Sequence, residues 1–345
     1  MVDFLTVLGP LERTQLESVG DLYGRADRKY RDLEFLEHLF VRGPVGPALH
    51  AFAVDDGRPV GHCAIVPMPA RWADQELRCG KVEALFVDVP YRGRRGADRP
   101  VVVELLDRLF TYAEDAGVEL LHAFVRPEVG RLFVGFERVE IGERARVAVA
   151  SPATLQSQRA QATVLASVQT TLRVLGHTAA RIATPRASTA TVRPPVPADS
   201  DLVDVPPPAG RWTIVADRSW DWYCGSPLLR VLEIPGANGS RALVQLPGSP
   251  GEALRVAAWR PREGGLVPAV LALGATQQLA RRSGAGTVRF QPWPTPWDQH
   301  ELERASRLLG FVRRPDFTTL YVRARARHLV RQDGVFATPL LYLGF

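Results

Sequence analysis

The chain has 345 residues, of which 46% are hydrophobic and 23% are charged, and its formal net charge is +6. This length predicts about two domains, and the composition is typical of a globular protein with a large buried core. No run of about 18 apolar residues occurs, so we expect no membrane-spanning helix, and the early acidic residues of the N-terminus argue against a signal peptide.

The charged and cysteine residues give two further expectations. Nearly all cationic side chains are arginine, because Lys29 and Lys81 are the only lysines. A positive field favours phosphate-bearing ligands, although GC-rich coding produces the same arginine bias. The cysteines, Cys63, Cys79 and Cys224, are odd in number and lack a CxxC pair. We therefore expect free thiols in a reducing cytoplasm, with neither a disulfide framework nor a metal site.

The first 150 residues alternate between helical and strand patterns, which predicts an α/β domain. Asp56-Gly57 lies between two apolar runs and is typical of a β-hairpin turn. Pro100 suits the first turn of a helix that Gly117 ends. In chain order the predicted elements are helices 11–23 and 31–40, strands Leu49–Val54, Pro59–Val66, Trp72–Leu77 and Lys81–Val87, helix Asp98–Asp115, strand Glu119–Val125, helix Glu128–Val134 and strand Phe136–Ile141.

The remainder of the chain divides into a connecting segment and a second domain. Residues 152–183 have a helical pattern, and Thr184–Gly210 is a linker rich in proline, serine and threonine. We therefore place the domains at 1–150 and 211–345, with 151–210 between them. The second domain repeats the order of elements found in 31–141, which indicates an internal duplication. Its predicted elements are an aromatic helix with Trp220, Trp222 and Tyr223, strands Leu228–Ile234, Arg241–Leu246 and Ala253–Trp259, helix 266–283, strand 286–291, helix 299–309 and a closing strand 311–323.

The segment most informative about function is KVEALFVDVPYRGRRGADRPVVVELL, residues 81–106. It combines a strand, a bend, a loop of arginine and glycine, and a helix. Such a loop directs main-chain N–H groups at one point in front of the positive end of a helix, which predicts a diphosphate site. Arg92, Arg94, Arg95 and Arg99 add charged donors. The alternative is a solvated basic turn before a surface helix.

This segment resembles motif A of the GNAT (GCN5-related N-acetyltransferase) superfamily. The matching positions are Val87, Pro90, Tyr91, Arg92 and Gly93. Arg95 departs from the motif, in which glycine is usual at that place. The resemblance covers about residues 20–141, and the second half, with ASRLLGF at 305–311, is similar to the degenerate second domain of tandem GNAT proteins. It implies an α/β fold of two tandem GNAT-like domains, each a mixed, mostly antiparallel sheet flanked by helices.

The resemblance also implies a binding site for acetyl-CoA or another acyl-CoA in the first domain only. The thioester arm would enter between the splayed strands 81–87 and 119–125. Its expected binding residues are Leu85, Phe86 and Val87 for the pantetheine arm, and Arg92, Gly93, Arg94, Arg95, Gly96 and Ala97 for the diphosphate. The second domain would shape the substrate site or form a dimer contact.

Two residues are candidate general bases. Glu83 lies on strand 81–87, where many GNAT enzymes place the group that deprotonates the amine. The alternative for Glu83 is an exposed or salt-bridged residue at a strand end. His122 lies on the neighbouring strand and would act through water, or it is a buried core histidine. The aromatic helix face around Trp222 lines an acceptor pocket or belongs to the core.

The proton donor expected from the resemblance is missing. GNAT enzymes usually have a tyrosine on the helix after strand 119–125, but that helix is PEVGRLFV, and Arg131 falls near the expected place. Tyr91 and Tyr112 do not match the motif position.

These features lead to one main functional interpretation and two alternatives. The main interpretation is an acyl-CoA-dependent N-acyltransferase acting on a small amine, such as an amino sugar or a natural-product intermediate. The first alternative is a Fem-type transferase that uses aminoacyl-tRNA, the only interpretation with a nucleic-acid partner. The second is a non-catalytic GNAT pair that binds a partner. We expect a cytoplasmic monomer or homodimer without membrane contact.

Overall fold

The computed structural model describes residues 2–27, 32–72, 74–93, 99–125, 127–139, 146–149, 190–203, 211–214, 216–234, 239–260, 265–290, 300–313 and 319–326. The helices in these ranges are α1 (Arg13–Asp27), α2 (Leu33–Phe40), α3 (Val101–Asp115), α4 (Pro127–Gly130), α5 (Ala216–Cys224), α6 (Leu266–Arg282) and α7 (His300–Leu308). The predicted helix 152–183 lies outside the described residues.

The strands begin with β1 (Asp3–Leu8), β2 (Leu49–Asp55), β3 (Arg58–Trp72), β4 (Gln75–Val87), β5 (Leu120–Val125), β6 (Glu137–Val139), β7 (Arg146–Val149) and β8 (Thr191–Arg193). They continue with β9 (Trp212–Ile214), β10 (Leu229–Glu233), β11 (Arg241–Gln245), β12 (Ala253–Arg260), β13 (Thr287–Phe290), β14 (Val312–Arg313) and β15 (Thr319–Ala324).

The strands form two sheets with matching order. The first has the order β1-β2-β3-β4-β5-β15-β6, with β9 beside β3, and the second has the order β8-β10-β11-β12-β13-β7-β14. In each sheet the only parallel pair among the described strands, β4 with β5 and β12 with β13, is joined by a long helix. The predicted class of two mixed, mostly antiparallel sheets flanked by helices is confirmed.

Each sheet contains strands from the other half of the chain: the first sheet takes β9 and β15, and the second takes β7. β15 lies between β5 and β6, where all six of its residues, Thr319–Ala324, pair with β5. β7 in turn lies between β13 and β14. The proposed division into 1–150 and 211–345 therefore follows the sequence repeat, whereas each sheet contains residues from both ranges. The exchange gives the main-chain groups along β5 and β13 a hydrogen-bonded neighbour, which an uncovered edge would lack.

Three clusters of buried apolar side chains arrange the elements in layers. The first cluster packs α1, α2 and α5 between the two sheets and includes Leu22, Leu36, Val66, Tyr223 and Leu243. The second covers the other face of the second sheet with α6 and α7. The third covers the other face of the first sheet with α3 and the segment that follows β5. The face of the first sheet that carries α1 and α2 is therefore also the face that meets the second half.

The long hairpin of β3 and β4 differs from the prediction. The sequence predicted separate strands Pro59–Val66, Trp72–Leu77 and Lys81–Val87, whereas the structure has two long strands with Pro67 and Pro69 inside the first. Both prolines are accommodated within β3, opposite Gly80 and Arg78 of β4. Gly80 permits this close packing, because a Cβ there would overlap the side chain of Ile65. The edge strand β1 was not predicted.

The strand exchange predicts that residues 1–150 do not fold alone. This fragment lacks β15, so β5 loses its six-residue partner and the core loses Leu320 and Val322, which are fully buried. We expect no cooperative thermal transition for the fragment by circular dichroism, whereas the full chain shows one. Adding residues 319–326 through a flexible linker is expected to restore part of the transition. A fragment that melts cooperatively at the temperature of the full chain would contradict this.

Candidate active site

The first sheet opens between β4 and β5. The parallel ladder between these strands ends with the pair Lys81–His122. Beyond that pair, β4 continues to Val87 and β5 to Val125, and no further pair joins them within the described strands. The predicted splay of these two strands is therefore present, and it leaves a cleft lined by main chain on both sides.

A β-bulge in β4 accompanies the opening. Between the pairs Glu83–Ala64 and Phe86–His62, β4 has two residues where β3 has one. One of the two is Ala84, whose φ of 59° lies in the left-handed region. This conformation costs an L-residue about 1–2 kcal/mol, and such strain concentrates at functional sites. The bulge turns β4 away from its register just where β5 departs.

The three residues predicted to bind a pantetheine arm lie in this open part of β4. Phe86 packs against Tyr23 of α1, with ring centroids 4.1 Å apart. Leu85 packs on the opposite side, against the cluster under α3. Val87 ends the strand, and its carbonyl accepts a hydrogen bond from Arg92. Their placement agrees with the expected role, and binding itself stays a prediction.

The turn after β4 is held by its own side chains. The Asp88 carboxylate accepts from the N–H of Val89 at 2.9 Å, and the Tyr91 hydroxyl donates to Asp55 at 2.7 Å. Asp88 also forms an ion pair with Arg25 at 3.2 Å. These contacts fix the direction in which the chain leaves the sheet before it reaches the predicted diphosphate loop.

The Arg92 guanidinium has a different role from the one predicted. It donates to the carbonyl oxygens of Val87, at 2.9 Å, and Ala26. Since main-chain carbonyls occupy this side chain, Arg92 ties the turn to α1 and β4 and does not point a free charge at a ligand. The next residue, Gly93, has φ of 82°, which favours glycine. The other predicted loop residues, Arg94, Arg95, Gly96 and Ala97, lie outside the described residues.

Among the described residues, the N-cap position of the helix behind this loop has no capping side chain. α3 begins at Val101, and its N-cap residue Pro100 supplies no side-chain hydrogen bond. The first N–H groups of a helix lack intrahelical partners, so an end without a side-chain cap favours an anion. The predicted cap Asp98 lies outside the described residues. The open helix end and the adjacent cleft fit the diphosphate and the arm of an acyl-CoA.

Glu83 forms a buried ion pair with Lys81. The two residues are two apart on β4, so their side chains share the face of the sheet toward α1 and α2. Lys81 Nζ lies 2.8 Å from Glu83 Oε1, and the side chains are 4% and 11% exposed. Glu83 is therefore salt-bridged, as one of its two predicted alternatives stated. Its role as a general base stays a prediction. Lys81, a rare buried lysine two residues from Glu83, was a signal that the sequence analysis did not use.

His122 lies on the same face, at the last β4–β5 pair. Its side chain is fully buried, and Nδ1 lies 3.4 Å from the Cys79 thiol. Burial and the Lys81 ammonium lower its pKa to about 3. A histidine with this pKa is a weak base at neutral pH, which favours the alternative of a core histidine.

The second half of the chain closes this face of the site. Tyr223 of α5 is fully buried, and burial together with the Glu83 carboxylate raises its pKa. The neighbouring Trp222 donates its indole N–H to the carbonyl of His38 at 3.1 Å and stacks on the His38 ring. The aromatic helix is therefore part of the core, and its role in lining an acceptor pocket stays a prediction.

A buried chain of hydrogen bonds supports the bulge from α1. The Tyr23 hydroxyl lies 2.8 Å from His62 Nδ1, and His62 Nε2 lies 3.0 Å from His50 Nδ1. His62 is the residue opposite Phe86 in the β3–β4 register. The chain therefore fixes the ring of Tyr23 against Phe86. The sequence analysis did not single out these residues, because they are far apart along the chain.

The described residues hold neither a metal cluster nor a membrane-spanning helix. No group of three or more histidine, cysteine, aspartate or glutamate side chains in them is arranged to hold a metal ion. No described helix has the length and apolar character needed to cross a membrane.

The fold that these features define is that of two tandem GNAT domains. Among solved structures, the chain resembles a tandem GNAT protein from the clavulanic acid biosynthesis pathway, with a TM-score of 0.57 at 13% identity over 94% of this chain and 99% of that one. It also resembles an N-myristoyltransferase from Saccharomyces cerevisiae, with a TM-score of 0.56 at 11% identity over 94% and 79% of the two chains. No family profile and no curated protein matches the sequence.

The buried histidines predict a loss of stability in acid. Burial lowers the pKa of His38 to about 4, of His50 and His122 to about 3, and of His62 well below 6.5. Between pH 6.5 and 4 the unfolded chain binds protons that the folded chain excludes. The stability is therefore complete above pH 6.5 and is lost as the pH falls, by up to about 1.4 kcal/mol per pH unit for each histidine.

Urea denaturation between about pH 7.5 and 5 measures this slope. Replacing His50 with glutamine is expected to reduce it, whereas replacing the exposed His300 is expected to leave it unchanged. A free energy of unfolding that stays constant over this range would contradict the assignment of neutral buried histidines.

Proposed function

We propose that the chain is an N-acyltransferase that uses acetyl-CoA as donor and a small amine as acceptor, such as an amino sugar or a natural-product intermediate. The observation that carries this proposal is the parting of β4 and β5 after the pair Lys81–His122, beside the bulge at Ala84. A closed sheet pairs these main-chain groups with each other, whereas an open one leaves them to a ligand.

The similar structures support this proposal. The N-myristoyltransferase structure has myristoyl-CoA bound, and the structure of the tandem GNAT protein is one without acetyl-CoA. Both share the fold over nearly the whole length of this chain. In the chain itself, β4 leads through the predicted loop to α3, whose N-cap residue Pro100 supplies no side-chain hydrogen bond. A narrow cleft that leads to an anion-binding helix end fits a long thiol ester with a diphosphate at its far end.

The residues of the cleft would bind and orient the donor. Main-chain groups of Leu85, Phe86 and Val87 would hydrogen-bond the pantetheine amides, and an N–H among them would polarise the thioester carbonyl. The acyl group is supplied by the thioester. The contacts of Tyr23 with Phe86 and of Arg92 with Val87 hold this segment in place, so little reorganisation is needed when the donor binds.

The acceptor would approach from the face that carries α1, α2 and α5. Glu83 is on this face, and its carboxylate would accept a proton from the ammonium form of the amine, because only the neutral amine is a nucleophile. The Lys81 ammonium balances the charge of the buried carboxylate. Tyr223 and Trp222 of the second half narrow this side of the cleft, which gives the second domain its part in choosing the acceptor.

Calorimetry with acetyl-CoA, coenzyme A and tRNA tests the proposal. We expect saturable binding of acetyl-CoA and coenzyme A, a raised melting temperature with each of them, and no effect of tRNA, because a ligand that binds only the folded state stabilises it. Binding of tRNA alone would favour a Fem-type transferase and overturn the proposal.

Arg92→Glu is expected to weaken acetyl-CoA binding at least tenfold, which corresponds to about 1.4 kcal/mol. The variant loses the donors to the carbonyls of Val87 and Ala26, so the turn before α3 is no longer fixed. Calorimetry measures the affinity. Arg108→Glu is the matched control, since Arg108 is on the exposed side of α3 and pairs with Glu104. Unchanged affinity in the Arg92 variant would show that this turn does not serve the donor.

Glu83→Gln is expected to reduce turnover by about a hundredfold while acetyl-CoA affinity changes little. Glutamine keeps the shape of the side chain but is not a base. Thiol release from acetyl-CoA, with glucosamine as the probe amine, measures turnover, and calorimetry measures affinity. Glu104→Gln, on α3, is the control. Equal turnover of Glu83→Gln and the unaltered protein would remove Glu83 from the mechanism.

A further inference from the structure

The second half of the chain places a tyrosine against α4. Tyr321 of β15 pairs with Ala123 of β5, and its half-buried ring packs on Phe133, with centroids 6.2 Å apart. Its hydroxyl lies directly on the main chain of α4, because a Cβ built on Gly130 would overlap Tyr321 Oη. Glycine at 130 is therefore what leaves room for this side chain.

The position of Tyr321 relative to the cleft follows from the strand register. Ala123 is the first residue of β5 beyond His122, at which the ladder with β4 ends. Tyr321, one strand further along the sheet, is thus level with the mouth of the opening. Its side chain belongs to the cluster that packs under α3, on the face of the sheet opposite to the one that carries Glu83. A ligand in the plane of the sheet between β4 and β5 would therefore have Glu83 on one face and Tyr321 on the other.

The other described tyrosines are committed elsewhere. Tyr23 is hydrogen-bonded to His62 on the opposite face, and Tyr91 donates to Asp55. Tyr223 is fully buried on the face that carries Glu83. Tyr112 is on α3, in the same cluster as Tyr321, and does not pair with β5. Tyr321 alone among the described tyrosines lies beside both the open part of β5 and α4.

We propose that Tyr321 is the proton donor to the leaving sulfur, which rests on the proposed acyl transfer. The amine nitrogen, deprotonated on the Glu83 face, forms a bond to the thioester carbon, and the C=O electron pair moves onto oxygen. The nitrogen of this tetrahedral intermediate then loses its second proton to solvent. The C=O bond reforms as the C–S bond breaks, and the sulfur takes the proton of the Tyr321 hydroxyl to leave as coenzyme A thiol. The tyrosinate recovers its proton from solvent. Base and acid thus act from opposite faces of one sheet, and the second half of the chain supplies the acid.

The test compares Tyr321→Phe with the matched control Tyr112→Phe. The first readout needs no turnover: the pKa of the thiol of bound coenzyme A, measured from the ultraviolet absorbance of the thiolate. A hydroxyl that donates to sulfur stabilises the thiolate, so this thiol pKa is expected to rise by about one unit in Tyr321→Phe and to stay unchanged in Tyr112→Phe. The second readout is thiol release from saturating acetyl-CoA with glucosamine, expected to fall on the order of tenfold or more only in Tyr321→Phe.

A second variant tests the contact with α4. Gly130→Ala is expected to displace the Tyr321 hydroxyl and therefore to raise the thiol pKa in the same way. In the Tyr321→Phe background, the same glycine replacement is expected to raise it no further, because the hydroxyl is already gone.

The experiments can reject the role of Tyr321 without rejecting the proposed acyl transfer. If coenzyme A binds and the thiol pKa and turnover are equal in Tyr321→Phe and the unaltered protein, Tyr321 is not the acid and the transferase proposal stands. If coenzyme A does not bind the unaltered protein, both proposals are overturned.

Discussion

The bulge in β4 is the constraint on which the rest of the site depends. One extra residue between Glu83 and Phe86 ends the regular pairing of β4, and the strand then leaves β5 with its main-chain groups directed into a cleft. A buried polar group without a partner costs about 1–3 kcal/mol, so such an opening is stable only if the surroundings hold it. Here the Tyr23–His62–His50 chain holds it on one side and the Arg92 bridge on the other. The left-handed Ala84 is the strained point that these contacts fix.

The strand exchange explains why two copies of one fold form a single working unit. Both sheets have the same order, and in both the strand beside the parallel pair comes from the other half. β15 therefore gives β5 its neighbour on the side away from the cleft and also places Tyr321 there. The second half is then not dispensable, because the first sheet is incomplete without β9 and β15.

The two copies differ at the place where the donor site would lie. In the second sheet, β12 ends at Arg260, which forms an ion pair with Asp201, and Arg241 pairs with the same carboxylate at 2.6 Å. The nearby Asp199, almost fully buried, binds Arg193 and Arg241. These carboxylates neutralise the cationic side chains at this end of the second sheet, whereas in the first sheet the corresponding turn is tied by Arg92 to main-chain carbonyls.

Local patterns in the sequence were sufficient for most elements of the fold. The apolar face of α3, the Asp56-Gly57 turn and the repeated order of elements were all visible, because they depend on residues close together along the chain. The bulge was not, since Ala84 is an ordinary strand residue until its pairing with β3 is known. The exchange of β7 and β15 was not visible either, because pairing across about 140 and about 200 residues, respectively, leaves no local signal.

The difference between local and long-range signals also applies to the catalytic residues, above all to the tyrosine that was expected on the helix after β5. Sequence reasoning searched for a tyrosine on the helix after β5 and found Gly130 and Arg131 there. In the folded chain the glycine is the complement of Tyr321, since the space that a side chain at 130 would fill holds a phenol from β15. In a duplicated chain with exchanged strands, a side chain needed at a site in one domain can be supplied by a residue from the other half of the sequence. An absence in a local motif is therefore weak evidence for lost activity when the neighbouring strand comes from elsewhere in the sequence.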